Sequence, residues 1–163
     1  MQFYRKKIKN IKETEKEITG LKQQGKKIVF TNGCFDIIHP GHLRYLYAAS
    51  RLGDYLVVAV NSDRSVKGIK GEKRPILDEN VRAEILAAIG FVDSVIIFDE
   101  QTPYSIINSL APDILVKGGD WAEEMIVGSD LVKSRGGKVM TIPFEEGFST
   151  TAIINRIIRL SQI

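Results

Sequence analysis

The chain has 163 residues, which is about the length of one compact domain. Apolar residues make up 44% of it and charged residues 26%, a balance that is typical of globular proteins and excludes an intrinsically disordered chain. The net charge of +3 is modest.

Much of the positive charge lies in residues 1–26, which we interpret as a charged N-terminal helix preceding a domain over residues 27–163. Little aromatic surface is interleaved with these lysines, so we expect no nucleic-acid partner. Cys34 is the single cysteine and excludes an intrachain disulfide. The N-terminus lacks the apolar stretch of a signal peptide, and no apolar run approaches the ~18 residues that cross a bilayer. We therefore expect a cytoplasmic protein without membrane insertion.

Short apolar runs alternate with helical patterns along the rest of the chain. The runs predict strands over residues 27–31, 55–60, 94–98, 114–116 and 138–142. The helical patterns cover residues 42–52, 78–89, 104–110, 121–134 in part, and 149–160. Residues 61–77 are polar and rich in lysine and glycine, and predict a long loop that could close over a ligand.

This alternation predicts the α/β class: a Rossmann-like, doubly wound, five-stranded parallel sheet with the strand order 3-2-1-4-5. Ligands of such sheets bind outside the carboxyl ends of the strands, where the strand order reverses. The segment that follows the first strand is therefore the first candidate site. It contains Gly33, Asp36 and Gly41, together with both histidines of the chain, His39 and His42. Glycines that allow close backbone approach, followed by a helix N-terminus, predict a phosphate site.

The segment GCFDIIHPGH (residues 33–42) resembles the GxFDxxHxGH signature of the cytidylyltransferase-like nucleotidyltransferases. Further similar segments are LGDYLVVAVNSD, KGGDW and GFSTT, so the resemblance covers roughly residues 27 to 160. NSDRSVKGIKGEKRPI and DILVKGGDW are most similar to the adenylyltransferases that make ADP-heptose from a heptose 1-phosphate. The resemblance thus implies transfer of AMP from ATP to D-glycero-β-D-manno-heptose 1-phosphate, with Mg²⁺ as cofactor.

The resemblance also implies roles for individual residues. The catalytic set is His39, His42, Lys73, Ser149 and Thr150. The nucleotide-binding set is Thr31, Asn32, Gly33, Cys34, Phe35, Asp36, Gly41, Lys117, Gly118, Gly119, Asp120, Phe144 and Gly147. The acceptor-binding set is Asp36, Asp63, Lys67, Lys70, Arg74 and Arg82. Asp36 would help to hold Mg²⁺ or to orient the substrates.

Structural alternatives exist for several of these residues. Asp36, Asp63, Ser149 and Thr150 could be simple caps, and the lysines of residues 61–77 could be solvated surface. Arg82 could pair with Asp78 or Glu79 on its own helix. Trp121 could pack in the core rather than stack on a base. A zinc site at the histidine pair is disfavoured, because the chain has no third histidine.

Rival functions share the motif. One is a cytidylyltransferase acting on glycerol 3-phosphate, but Phe144 stands where that family has the arginine of its RTEGIST segment. Another is an FMN adenylyltransferase, and a third is a module that senses ATP without turnover. We expect a homodimer, which is the commonest assembly. We also expect a sugar kinase on a separate polypeptide, unless the chain is a fragment of a longer protein.

Overall fold

The computed structural model describes residues 3–119, 121–143 and 147–162. Its centre is a five-stranded sheet in the order β3-β2-β1-β4-β5, with every neighbouring pair parallel. The predicted fold class and strand order are therefore confirmed. The strands are β1 (Ile28–Gly33), β2 (Tyr55–Asn61), β3 (Ser94–Phe98), β4 (Ile114–Gly118) and β5 (Lys138–Ile142).

Helices flank the sheet and connect its strands. The α-helices are α1 (Ile11–Gln23), α2 (Pro40–Ser50), α3 (Asp63–Lys70), α4 (Glu79–Ala88), α5 (Tyr104–Leu110), α6 (Ser129–Ser134) and α7 (Thr150–Leu160). Two 3-10 helices cover Phe3–Lys7 and Glu123–Met125. Within the described residues, no helix combines the length and the apolar character that crossing a membrane requires.

Strands β1 to β4 are largely buried on both faces, whereas β5, at the edge of the sheet, exposes Lys138 and Met140. In β1, Ile28 and Phe30 pack into an apolar cluster with side chains of α1 and α5. The intervening Val29 points the other way, into a second cluster that contains Leu46 of α2 and Leu86 of α4. Two helical layers thus cover one sheet, and the carboxyl ends of its strands form the edge between the layers.

The N-terminal segment differs from the single helix predicted over residues 1–26. It contains the 3-10 helix and then α1, which begins with a reciprocal capping box between Asn10 and Glu13. Between the two helices, Ile8 forms a parallel bridge with Val95 of β3. The ammonium of Lys7 donates to the carbonyl of Val92 over 2.6 Å. The segment therefore covers the β3 edge of the sheet instead of being a solvated helix alone.

The prediction of a loop over residues 61–77 is wrong for its first half, which forms α3. Ser62 caps this helix, because its hydroxyl oxygen accepts the N–H of Ser65 over 3.1 Å. Only Ser65 and Val66 of the helix are buried, so one apolar side chain anchors it to the sheet. The apolar side chains of the helix, Val66 and Ile69, do have the i, i+3 spacing of one helical face, but Gly68 and the polar residues around them led to the prediction of a loop.

Candidate active site

A cleft of about 1120 Å³ lies at the carboxyl ends of the strands, where the order of strands reverses around β1. Most of the residues that the sequence singled out contribute to its wall. They are Asn32, Gly33, Cys34, Phe35, Asp36, His39, Gly41, His42, Lys70, Arg74, Lys117, Gly118, Ser149 and Thr150. The topology thus brings the first strand–helix connection, the lysine-rich segment, the end of β4 and the start of α7 to one place.

The two histidines stack at the start of α2. Their ring centroids are 3.8 Å apart and their planes are inclined by 28°. The Nδ1 atoms of both rings are buried and have no hydrogen-bond partner within the described part of the chain. This leaves Nε2 as the nitrogen of each ring that can reach a ligand in the cleft. Gly41 makes the stack possible, since a Cβ there would lie 3.1 Å from Nδ1 of His39.

Both imidazoles are held in the neutral form near pH 7. The pKa of His42 is lowered to about 4, mainly by burial and also by the neighbouring His39, while the charge of Asp36 opposes the shift. Burial also lowers the pKa of His39. A neutral imidazole still donates one N–H, so the pair offers hydrogen bonds to a phosphate without requiring two adjacent positive charges.

Two helix N-termini open into the cleft. His39 is the N-cap of α2, but its side chain makes no capping bond. Ser149 is the N-cap of α7, and its hydroxyl oxygen accepts the N–H of Ala152 over 3.0 Å. The hydroxyl of Thr150 donates to the carbonyl of Asp36 over 2.7 Å, which ties the start of α7 to the β1–α2 connection. Two sets of helix-end N–H groups therefore face the same space, an arrangement that favours an anion.

Phe148 closes the stack from the side of α7. Its ring lies nearly parallel to that of His39, with centroids 6.4 Å apart. The guanidinium carbon of Arg44 lies 5.4 Å from the centroid of the same phenyl ring. Neither Phe148 nor Arg44 was predicted from the sequence, because neither belongs to the phosphate-binding pattern.

Asp36 is engaged by the protein itself. Its carboxylate accepts N–H bonds from Ile76 over 2.8 Å, from Leu77 over 3.0 Å and from Nε of Arg74 over 2.7 Å. Burial alone would raise the pKa of Asp36, but these three donors outweigh it and hold the pKa below its usual value. With both oxygens occupied and the residue 1% exposed, Asp36 does not fit as a Mg²⁺ ligand; it positions Arg74 instead.

Arg82 and Asp63 lie behind the cleft and not in its wall, contrary to the predicted contacts with the acceptor. The guanidinium of Arg82 is fully buried and donates to Asp63 over 2.7 Å, to the carbonyl of Cys34 over 2.5 Å and to that of Leu77 over 2.9 Å. The alternative pairing of Arg82 with Asp78 or Glu79 is not formed either. Together with Asp36, Arg82 fastens the segment before α4 to the β1–α2 connection, which argues against its closing as a free lid.

Other predicted residues also lie outside the cleft wall. Thr31 is buried, and its hydroxyl is 2.5 Å from that of Tyr45, which does reach the cleft. Lys67 and Lys73 are exposed on the surface beside it. Gly119 and Gly147 are not among the residues that line it. Asp120 and Phe144 fall outside the described residues.

Two sets of wall residues, one polar and one apolar, were not predicted from the sequence. The polar set is Asn61, Gln101 and Thr102. The apolar set, to which Trp121 also belongs, is Met125, Ile126, Val127, Ile142 and Pro143. Trp121 is 52% exposed, so the alternative that it packs in the core is excluded. Asn61 could have been found from its place at the end of β2, since strand ends of a parallel sheet meet at one edge.

Lys117 reaches the cleft from the end of β4. Its ammonium lies 3.5 Å from Oδ1 of Asn32, which ends β1 together with Gly33. Burial lowers the pKa of Lys117, and the charge of Lys70 lowers it further against the opposing effect of Cys34. A bound anion would offset the cost of holding this charged ammonium away from water, so Lys117 is placed to attract an anion.

A family model described as cytidylyltransferase-like matches residues 30–156. The bifunctional protein HldE of Campylobacter jejuni subsp. doylei is 58% identical over 149 residues, which are 91% of this chain and 32% of that protein. HldE of Geobacter metallireducens is 54% identical over 153 residues, which are 94% of this chain and 31% of that protein. The chain thus spans about a third of the length of these curated relatives.

Solved structures are also similar. The lipopolysaccharide core biosynthesis protein from Thermoplasma volcanium is 31% identical with a TM-score of 0.58, covering 74% of this chain and 98% of that one. The pantoate-beta-alanine ligase from Francisella tularensis covers 96% of this chain and 79% of its own, with a TM-score of 0.61. At 18% identity, that second similarity concerns the fold alone.

Proposed function

Because this chain belongs to the cytidylyltransferase-like family, we propose that it transfers the adenylyl group of ATP to a sugar 1-phosphate. The proposed acceptor is D-glycero-β-D-manno-heptose 1-phosphate, and the products are ADP-heptose and pyrophosphate. An oxygen of the acceptor phosphate attacks the α-phosphorus of ATP, and the bond from that phosphorus to the oxygen bridging to the β-phosphate breaks. The acceptor phosphate is already ionised at neutral pH, so the reaction needs positioning and charge stabilisation more than a base.

The observation that carries the proposal is the neutral histidine pair between two helix N-termini. Negative charge builds up on the leaving pyrophosphate, and N–H groups already aimed at that position stabilise it. His39 and His42 supply two such donors, and the starts of α2 and α7 supply backbone N–H groups beside them. No residue has to lose a proton during the step.

The apolar part of the wall supports a purine nucleotide. Trp121 and Met125 are 52% and 71% exposed and line the cleft together with Ile126, which is buried. A purine ring offers more surface to such a wall than a pyrimidine ring does. ATP is therefore preferred over CTP in this proposal, in agreement with the departure from the RTEGIST segment at Phe144.

The acceptor is inferred from the relatives. The sequence resembles the adenylyltransferases that form ADP-heptose, and the HldE proteins match over more than nine tenths of this chain. The Thermoplasma relative is named as a lipopolysaccharide core biosynthesis protein, which fits the same acceptor class. Lys70 and Arg74 place two cations in the cleft wall, as a phosphate-bearing acceptor requires.

ATP is expected to enter with a divalent cation, and Mg²⁺ is the ion proposed. The carboxylate of Asp36 already accepts three N–H bonds, so the protein does not offer it as a ligand. Phosphate oxygens and water are therefore expected to hold the ion, which agrees with the preference of Mg²⁺ for its own water shell.

The proposal is tested by release of pyrophosphate from ATP or CTP, each offered with heptose 1-phosphate, glycerol 3-phosphate or FMN. We expect turnover with ATP and the heptose phosphate alone. Replacement of His39 or His42 by Ala should lower kcat by about 100-fold while changing ATP affinity much less, since removal of one such donor typically costs this much. Turnover with CTP and glycerol 3-phosphate would refute the proposal, and ATP binding without any turnover would indicate the sensing module.

A further inference from the structure

The two ends of the cleft differ in chemistry. Above β4 and β5 the wall is mainly apolar, with Trp121, Met125 and Ile142. Above β2 and β3, on the other side of β1, it is mainly polar. That side contributes Asn61, Lys70, Arg74, Gln101 and Thr102. The phosphates belong between these ends, beside the histidines at the end of β1, so the base and the acceptor sugar are expected on opposite sides.

Asn61 presents a hydrogen-bond acceptor of fixed orientation at the polar end. Its Nδ2 donates to the hydroxyl oxygen of Ser65 over 2.9 Å. The Ser65 hydroxyl donates its own proton to the carbonyl of Glu100 over 2.8 Å, so it can only accept a hydrogen bond from Asn61. The amide of Asn61 therefore cannot be turned around without losing this bond. Its nitrogen faces Ser65, and its oxygen is the atom left for the cleft.

Asn61 is 3% exposed yet belongs to the cleft wall, so the small surface that it presents is open to a ligand. No hydrogen bond to this oxygen is formed by the described residues. An acceptor that no protein group pairs is available to a ligand hydroxyl, which would add one hydrogen bond. Lys70 and Arg74 line the same cleft, so a ligand that reaches Asn61 can carry a phosphate as well.

We propose that Asn61 is a specificity-determining residue, whose Oδ1 accepts a hydrogen bond from a hydroxyl of the acceptor sugar. The inference rests on the proposed function. It adds to that function a protein group that distinguishes a sugar phosphate with several hydroxyls from a phosphate that lacks them. Gln101 borders the same space: a Cβ at Gly68 would lie 3.4 Å from its amide nitrogen, so glycine leaves room for that side chain. A site built to bond a hydroxyl rejects analogues that lack it.

The test compares wild type with Asn61→Ala, using a series of acceptors that each lack one hydroxyl. With the full acceptor, we expect the variant to raise KM for the sugar phosphate by about three- to tenfold, the value of one neutral hydrogen bond, with KM for ATP unchanged. One deoxy acceptor should be equally poor with wild type and variant, because the bond that the substitution removes is already missing. Asn80→Ala, at an exposed amide on α4, is the matched control and should behave as wild type.

A second variant, which leaves Asn61 in place, tests the proposal in case Asn61→Ala does not fold. Ser65→Ala retains the Asn61 oxygen but releases the amide, and should raise KM for the acceptor less than Asn61→Ala does. The affinity for heptose 1-phosphate is measured in parallel by calorimetry in the presence of a non-hydrolysable ATP analogue. Absence of wild-type turnover contradicts the proposed function, whereas equal affinities of wild type and Asn61→Ala overturn the inference. Loss of ATP affinity in Asn61→Ala, absent when 2′-deoxy-ATP is used, would assign Asn61 to the ribose and also overturn it.

Discussion

His39 and His42 lie ring on ring at the start of α2, with their centroids 3.8 Å apart. Burial and the neighbouring ring lower the pKa of His42 to about 4, and burial lowers that of His39. Two imidazolium ions at this separation would repel each other strongly. The pair is therefore a source of N–H donors at neutral pH and not a fixed double positive charge.

The pH dependence of stability follows from His42. In the unfolded chain this imidazole has the ordinary histidine pKa of about 6.5, whereas in the folded chain its pKa is about 4. Between these two pKa values only the unfolded chain binds a proton at His42, so protonation favours unfolding. The free energy of unfolding is therefore unaffected by His42 above pH ~6.5 and decreases as the pH falls from ~6.5 towards ~4. Urea midpoints at pH 7, 6 and 5 should fall more steeply for wild type than for His42→Asn. Parallel slopes would contradict the assigned burial of this ring.

Gly41→Ala tests how tightly the histidine stack is packed. The added Cβ would lie 3.1 Å from Nδ1 of His39 and 3.1 Å from Cβ of Phe148, so one of these side chains must move. The neighbours must give way by a few tenths of an ångström, and since a displacement of about 1 Å can cost about 100-fold, we expect kcat to fall by about tenfold. The measurement is steady-state pyrophosphate release at saturating ATP.

The control for this substitution is Gly20→Ala, in α1. A Cβ at Gly20 meets no atom within 4 Å, so the change only improves helix propensity. It should stabilise the protein by about 0.5–1 kcal/mol and leave kcat unchanged. If Gly41→Ala retains the full kcat, the position of His39 does not limit the reaction.

Asp36→Asn tests the anchoring of the segment before α4. The carboxylate accepts three N–H bonds, one of them from Arg74, and the neutral amide of Asn cannot replace them all. We expect a loss of about 1.5–3 kcal/mol in the free energy of unfolding, the typical value of hydrogen bonds to a charged group, together with a higher KM for the acceptor. Asp130→Asn, at an exposed carboxylate, should cost much less. Equal urea midpoints for the two variants would show that Asp36 is not an anchor.

The strands and the site around β1 could be predicted from the sequence. Runs such as SVIIF and KVMTI are apolar for the length of one buried strand, and the helical patterns between such runs indicate βαβ crossovers, which are right-handed in nearly all proteins. The predicted strand over residues 94–98 coincides with β3. The phosphate site was visible because glycines and both histidines are adjacent in sequence. The membership of the nucleotidyltransferase superfamily, predicted from that segment, is confirmed by the family match.

What could not be predicted depends on contacts between distant residues. Asp36 and Arg74 are 38 positions apart, and nothing in the sequence around Asp36 indicates that its carboxylate pairs with this arginine instead of binding a metal ion. Asn61 has no motif of its own, and its orientation depends on Ser65 and the carbonyl of Glu100. Helix α3 is held by its cap and one buried side chain, and its Gly68 and many polar residues favoured the prediction of a loop.

Arg82 offers the clearest separation of a structural from a substrate-binding role. Its side chain is fully buried, while the carboxylate of its partner Asp63 is 35% exposed. Arg82→Met should lower the free energy of unfolding by at least about 2 kcal/mol, measured by urea denaturation, because the carbonyls of Cys34 and Leu77 lose their donor at about 1–3 kcal/mol each. Arg5→Met, which breaks the exposed pair with Glu84, is the control and should cost far less. If the Arg82→Met protein is as stable as wild type but binds the sugar phosphate more weakly, the structural role is contradicted and Arg82 contacts the acceptor.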